Sequence, residues 1–123
     1  MDPFLGTGST LVAAKQANRI GIGFELSEEY ASISIKRIED LPELPYPPLY
    51  QTENNNYWKV FCCDSRELKD IWYKQKFPPA DFCITSPPYW NQLMRNSIRQ
   101  KERKKKGLDT QYSEDSRDLG NIK

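Results

Sequence analysis

The sequence predicts an α/β fold on a mostly parallel sheet, and three observations carry that expectation. Short apolar runs alternate with helix-patterned runs along the chain. Gly-, Pro- and Asn-rich segments separate them, as turn chemistry should. The residues of most chemical interest (Asp2 to Gly8, Glu25, Asp64 and Ser86 to Tyr89) follow the ends of apolar runs. Strands alternating with helices lay the helices over the faces of a parallel sheet. In such sheets ligands bind beyond the carboxyl ends of the strands, so one crevice can take all four groups.

Taken in order, Met1–Pro3 reads as the tail of a strand and Phe4–Gly8 as a Gly-rich turn. Ser9 to Asn18 reads as a helix, with Leu11, Val12, Ala14 and Ala17 near helical spacing. Ile20–Glu25 is a short apolar strand. Ser27 can cap the next helix, where Glu28 and Glu29 suit the positive end of the helix dipole and Ile33, Ile35 and Ile38 continue the pattern. Leu41 to Asn56, dense in Pro and Asn, should be a long loop. Trp58–Cys63 is a strand that ends at Asp64, followed by a short helix around Ser65–Tyr73 that Pro78-Pro79 breaks. Ala80–Thr85 is the next strand, and it runs into Ser86-Pro87-Pro88-Tyr89. After Trp90 the apolar pattern dissolves, which divides the chain into residues 1–90 and a flexible basic tail, 91–123.

Composition narrows the function. The 123 residues allow one small domain, and 37% hydrophobic residues with three Trp allow a core. No apolar run approaches the roughly 20 residues of a membrane span, and residues 1–20 lack the charge and apolar pattern of a secretion signal. Cys62, Cys63 and Cys83 sit in apolar runs and read as buried reduced thiols inside strands. With no His and no paired Cys motif, no metal site is expected. The expected location is the cytoplasm. The net charge of +1 hides an asymmetry: Met94 to Gly107 carries Arg95, Arg99, Lys101, Arg103, Lys104, Lys105 and Lys106 against Glu102, a local +6 that leaves −5 elsewhere. Charge alone fits a solvated loop as well as a phosphate-binding surface.

Gly6 and Gly8 let the backbone bend tightly and approach a ligand, and a helix starting near Ser9 offers unpaired N–H groups. By itself such a turn is structural. It lacks the Lys that a P-loop needs, and Leu11 stands where a dinucleotide fingerprint wants Gly, which disfavours ATP and NAD. Glu25 is placed to accept hydrogen bonds from ribose hydroxyls, at the spacing of about 20 residues natural to a βαβ unit. Asp64 holds the equivalent edge of the next strand. Either, in isolation, reads as an ordinary strand-end carboxylate.

Asp2-Pro3-Phe4-Leu5-Gly6-Thr7-Gly8-Ser9-Thr10 resembles the S-adenosylmethionine-binding motif of the DNA N4-cytosine and N6-adenine methyltransferases. The resemblance covers roughly residues 1–90. It implies a Rossmann-like methyltransferase fold, present as about four of the family's seven strands. It implies that Asp2, Phe4, Gly6, Thr7 and Gly8 line the cofactor site, that Glu25 holds the ribose, and that Asp64 contacts the adenine. The fragment-like coverage implies a chain incomplete at both ends, marginally stable and weakly active alone, with a complementary chain as one source of the missing strands.

Ser86-Pro87-Pro88-Tyr89 resembles the same family's catalytic signature. An exocyclic base amine is a poor nucleophile because its lone pair is delocalised into the ring. The Ser86 hydroxyl and Pro87 carbonyl can accept its hydrogens and favour a pyramidal nitrogen. Pro87 and Pro88 stiffen the corner, and Tyr89 would stack on the extruded base. Methylation at C5 of cytosine is disfavoured, since that chemistry needs a thiolate, usually after Pro, whereas Cys83 follows Phe82 and Cys62 and Cys63 lie inside a strand. Ser at the first motif position leans toward N4 of cytosine over N6 of adenine. The resemblance thus implies DNA methylation of the restriction–modification kind, with the basic run Arg95 to Lys106 beside the base pocket as phosphate contacts. A methyltransferase acting on RNA or on protein amide nitrogen, and a non-catalytic nucleic-acid-binding remnant or subunit, are the competing readings.

Overall fold

A computed structural model of the chain describes residues 1–42, 58–87, 101, 105 and 115–118. Its elements are helix α1 (Ser9–Gln16), strand β1 (Gly21–Glu25), helix α2 (Glu28–Glu39), strand β2 (Trp58–Cys62), a 3-10 turn (Ser65–Glu67) and helix α3 (Leu68–Lys74). Two compact units divide the chain, Met1–Ser86 and Pro87–Lys123.

In the first unit β1 and β2 pair in parallel, in a register running from Gly21 opposite Trp58 to Glu25 opposite Cys62. On the other side of β1, Asp2 forms a parallel bridge to Gly23. The Asp2 N–H donates to Ile22 O at 2.9 Å, and the Phe24 N–H donates to Asp2 O at 2.9 Å. The expected tail of a strand at Met1–Pro3 is therefore a single bridge. The segment 82–84 lies along Met1 on its far side: the Met1 amine donates to Phe82 O at 2.6 Å, and the Ile84 N–H donates to Met1 O at 3.0 Å. That pair has the pattern of a parallel ladder. Ala80–Thr85, expected as a strand, makes these two hydrogen bonds without forming a continuous strand. The order in space is β2, β1, residues 1–2, residues 82–84. The chain steps outward in one direction as far as β2 and then returns to the opposite side of its start, a reversal of the kind beside which open α/β sheets bind ligands.

The pleat sorts side chains to two faces. Gly21 and Gly23 share one face with Trp58 and Val60, and there Leu5, Leu11 and Ile38 form the buried cluster, with Val12 against it. The absence of side chains at Gly21 and Gly23 admits Leu11 and Leu5 onto the sheet, where added Cβ atoms would stand 2.9 and 2.6 Å from them. Ile22 and Phe24 face the other way. Phe24 stacks on Phe61 with centroids 5.3 Å apart, and Phe61 and Trp72 meet Phe77 edge-on at 6.1 and 5.2 Å. With α1 and α2 on one face and α3 on the other, β1 is buried on both sides along Gly21–Phe24, as a central parallel strand should be.

Ser27 caps α2 as expected, accepting from the Tyr30 N–H at 3.3 Å. The buried stripe of α2, however, is Ala31, Ser34 and Ile38, and Ile33 faces outward. Small residues sit inside because α2 approaches the Gly8 turn too closely for a large side chain at position 34. On α1 the inward positions are Leu11 and Lys15, while Ala17 is exposed. Lys15 buries its stem and donates Nζ to Ile38 O at 3.0 Å and to Leu41 O at 3.3 Å, so it caps the C-terminus of α2 from the neighbouring helix. The thiols also depart from expectation. Cys62 and Cys83 are exposed and Cys63 is half-buried, because Cys62 closes the open edge of β2 and Cys83 lies in the outermost segment. Most of the loop expected at Leu41 to Asn56 lies outside the described residues, and among the described residues no helix is long and apolar enough to cross a membrane.

In the second unit Lys101 and Lys105 are helical and exposed, where the sequence reads as a loop. Lys, Arg and Glu are good helix formers, which accounts for the difference. Arg117 grips Asp115 with its backbone N–H at 2.8 Å and Nη2 at 2.6 Å. These hydrogen bonds hold the Asp115 carboxyl down at about 2. Arg95, Arg99, Arg103, Lys104 and Lys106 lie outside the described residues.

Candidate cofactor site

The site starts from the glycine turn. Gly6 (φ 57) and Gly8 (φ 88) both adopt the left-handed conformation that glycine takes without strain. Their surroundings differ. A Cβ on Gly8 would stand 2.6 Å from Ser34 Cβ, so this glycine lets the start of α1 pack on α2. A Cβ on Gly6 would meet nothing within 4 Å, so this glycine faces open space. The Leu5 N–H donates to Phe24 O at 2.8 Å, and the Gly8 N–H closes a turn onto Leu5 O at 3.1 Å. Leu5 is buried beneath the turn.

Two carboxylates hold the turn in place. Asp2, 4% exposed, accepts from the Phe4 N–H on Oδ1 at 3.0 Å and from the Thr10 hydroxyl on Oδ2 at 2.6 Å. It ties the strand end to the turn and to the first turn of α1, and its role in the structure is therefore to shape the loop. Glu25 accepts from the Gly6 N–H on Oε2 at 2.7 Å and from the Ser27 N–H on Oε1 at 2.9 Å. It stands between the glycine turn and the start of α2, half-buried. Each oxygen keeps a second lone pair that can accept from a ligand hydroxyl. From the outer side, Arg37 Nη1 donates to Thr7 O, to Thr7 Oγ1 at 3.0 Å and to Ser9 Oγ at 3.4 Å.

Asp64 comes next along the same edge. The ladder continues past β2 through the Cys63 N–H, which donates to Glu25 O at 2.9 Å. The Asp64 carboxylate is 7% exposed as a residue and caps the 3-10 turn. It accepts from the Arg66 N–H at 2.9 Å and forms a two-pronged ion pair with Arg66, Nε at 3.0 Å from both oxygens and Nη2 at 2.6 Å from Oδ2. Burial, then the negative neighbours Glu67, Cys62 and Asp64, push the Cys63 thiol up to about 11, so it stays protonated at neutral pH.

Asp2, Phe4, Gly6, Thr7, Gly8 and Glu25 thus form one hydrogen-bonded cluster, and Asp64 follows on the adjoining strand end. Because Met1 and residues 82–84 run parallel, the chain leaves the sheet at the same end toward Phe4 and toward Ser86, which is exposed. Pro87 begins the second unit, and Pro88 and Tyr89 lie outside the described residues. Sequence reading missed the clamping roles of Thr10 and Arg37. Thr10 was readable in principle, as a hydroxyl in the first turn of a helix that follows an acidic strand end. Arg37 carries no local signal, since its contact exists only once α2 packs behind the turn. Among the described residues no group of three His, Cys, Asp or Glu side chains is arranged to hold a metal ion.

Residues 1–36, which include the whole glycine turn, Glu25 and most of α2, match the family model of the N6/N4 DNA methylases. That segment is similar to the DNA amino-methyltransferases. Among curated proteins, the type II methyltransferase M.ScaI of Streptomyces caespitosus is 41% identical over 39 residues, which is 32% of this chain and 13% of the relative. M.SmaI of Serratia marcescens is 47% identical over 38 residues, 31% of this chain and 13% of the relative. M.MthZI of Methanothermobacter thermautotrophicus is 43% identical over 44 residues, 36% of this chain and 12% of the relative. The matched stretch is therefore a small part of each relative's length. No solved structure matches the chain.

Proposed function

We propose that the chain is the cofactor-binding and catalytic part of an S-adenosylmethionine-dependent DNA methyltransferase that modifies an exocyclic base amine, with N4 of cytosine favoured over N6 of adenine by the Ser at position 86. The observation that carries the reading is the Gly6–Glu25 hydrogen bond of 2.7 Å. A phosphate-binding turn needs free N–H groups. Here Gly6 and Gly8 already donate within the protein, and a carboxylate stands in the turn. Such a turn disfavours nucleotide phosphates and suits a nucleoside with ribose hydroxyls and a positive charge, which is the chemistry of S-adenosylmethionine. The open space in front of Gly6 gives such a ligand room.

When bound, that cofactor supplies an electrophilic methyl on a sulfonium sulfur. Glu25 would accept the ribose hydroxyls on its remaining lone pairs. Asp64 would present its edge to the adenine amino group while Arg66 balances its charge. The Ser86 hydroxyl and Pro87 carbonyl would accept the hydrogens of the target amine and aim its lone pair at the methyl. Ser86 and Pro87 would thus orient the amine toward that methyl, and the surplus amine proton would pass to water. Tyr89 would stack on the base, returning about 1–3 kcal/mol toward an extrusion cost of a few kcal/mol. The basic run from Arg95 to Lys106 would supply phosphate contacts for the remainder.

Transfer of labelled methyl groups by the complete enzyme to DNA, RNA and protein, followed by digestion to modified nucleosides, tests the reading. Label in N4-methylcytosine or N6-methyladenine is the expected result. Label confined to RNA or protein would overturn it.

A further inference from the structure

We propose that Glu25 positions the glycine turn, in addition to the ribose contact assigned to it above, so that the carboxylate that meets the ribose also joins Asp2 in fixing the shape of the cofactor site before any ligand arrives. The inference rests on the preceding reading for its ligand and on the geometry of the free protein for everything else. Glu25 Oε2 takes the Gly6 N–H at 2.7 Å and Oε1 takes the Ser27 N–H at 2.9 Å. These donors belong to two different loops, one leading into α1 and one into α2, and the two residues are 21 positions apart in the chain. Both oxygens must therefore be acceptors at once. A carboxylate meets that condition, whereas a carboxamide of the same size does not: its NH2 would face one of the two N–H groups, donor against donor. Aspartate keeps the charge but is one methylene too short to span both loops.

The consequence reaches past the ribose. Gly6 has no side chain to anchor it, an added Cβ there would touch nothing within 4 Å, and its φ of 57 leaves the turn dependent on hydrogen bonds for its shape. Behind it Leu5 is locked to Phe24 O at 2.8 Å, and beyond it Arg37 holds Thr7 through Oγ1 at 3.0 Å. Asp2 holds Phe4 and Thr10, and Glu25 adds the restraint on Gly6 itself. Because the same oxygens meet the hydroxyls, loss of the carboxylate should weaken binding even of a nucleoside that has no hydroxyls to offer.

The test uses the 123-residue chain and two variants, Glu25→Gln and Glu25→Asp, the second retained in case the first fails to fold. In the ligand-free protein, amide hydrogen exchange at Gly6 and Ser27 should be slow in the parent and faster in both variants, while the amides of α3 keep their protection. Unchanged exchange at Gly6 would overturn the proposal. In a binding titration, Glu25→Gln should weaken both S-adenosylmethionine and its 2′,3′-dideoxy analogue, the latter by about fivefold or more, as expected when a hydrogen-bonded donor loses its acceptor. A variant that binds the dideoxy analogue as well as the parent does, while losing affinity for S-adenosylmethionine, would reduce Glu25 to a ribose contact and also overturn the proposal. Failure of the parent itself to bind S-adenosylmethionine would sink the cofactor reading, and the exchange measurement would still decide the positioning role.

Discussion

Gly6 and Gly8 look alike in the sequence, yet the structure gives them different work. Gly8→Ala forces a Cβ to 2.6 Å from Ser34 Cβ at a φ of 88. Left-handed strain and overpacking together should cost about 2–4 kcal/mol, read as a lower urea midpoint. Gly6→Ala meets only open space on the protein side, so its stability cost should stay near the 1–2 kcal/mol of the backbone strain alone. Its methyl instead enters the space proposed for the cofactor, and S-adenosylmethionine affinity should fall more than stability does. If the two variants behave alike in both assays, the division of labour is wrong. The Cys63 thiol, pushed up to about 11, should react with iodoacetamide at pH 8 far more slowly than exposed Cys62 and Cys83, which peptide mass mapping would read. Speeding of Cys63 should come only as pH approaches 11, because the thiolate is the reactive form. At this scale the sequence was informative wherever a residue's task is local. The glycine turn and the Ser27 cap were readable from type and spacing, whereas the hold of Glu25 on Gly6 and Ser27 was not. The Arg37 clamp on Thr7 was not, because thirty positions separate the partners and only packing joins them.

At the scale of elements, α2 is the support for the turn. Its start is fixed by Ser27, whose hydroxyl accepts from Tyr30, and its end by Lys15 of α1. Ser27→Ala should cost about 1 kcal/mol, the usual worth of an N-cap, with the Glu25–Ser27 backbone bond retained because it uses the N–H. Lys15→Met keeps the buried stem but removes a cation from the negative end of α2, and a loss of about 1 kcal/mol is expected by denaturant titration. The apolar pattern of α2 was misleading in one respect. Ile33 offers more apolar surface than Ser34, yet Ser34 is buried because the turn at Gly8 leaves no room for a longer side chain. Periodicity alone ranks residues by hydrophobicity, whereas close approach of two backbones ranks them by size. The strand at Ala80–Thr85 was legible as an apolar run in the right position but not in its degree of pairing, which depends on what lies on either side.

At the scale of the molecule, the sheet order β2, β1, residues 1–2, residues 82–84 puts the glycine turn at the point where the chain changes direction across the sheet. The α/β class and the parallel pairing were both readable from alternating elements. Of the four or so strands expected, the described residues form two, β1 and β2, with residues 1–2 and 82–84 hydrogen-bonded alongside. Phe82 and Ile84 are 70% and 51% exposed on the outermost segment. An apolar strand edge of this kind lowers the stability of an isolated domain. The 123-residue chain alone is accordingly expected to give little or no methyl transfer to DNA while retaining cofactor binding, and vigorous turnover by this chain would contradict that expectation.

The turn held by Glu25 is proposed as a nucleoside site closed to phosphate. Calorimetric titration of the chain with S-adenosylmethionine, ATP and NAD tests it most directly. The account predicts saturable one-to-one binding of S-adenosylmethionine that neither ATP nor NAD displaces. Tight binding of either phosphate-bearing nucleotide, or no binding of S-adenosylmethionine by a chain whose Gly6 amide is protected, would contradict it.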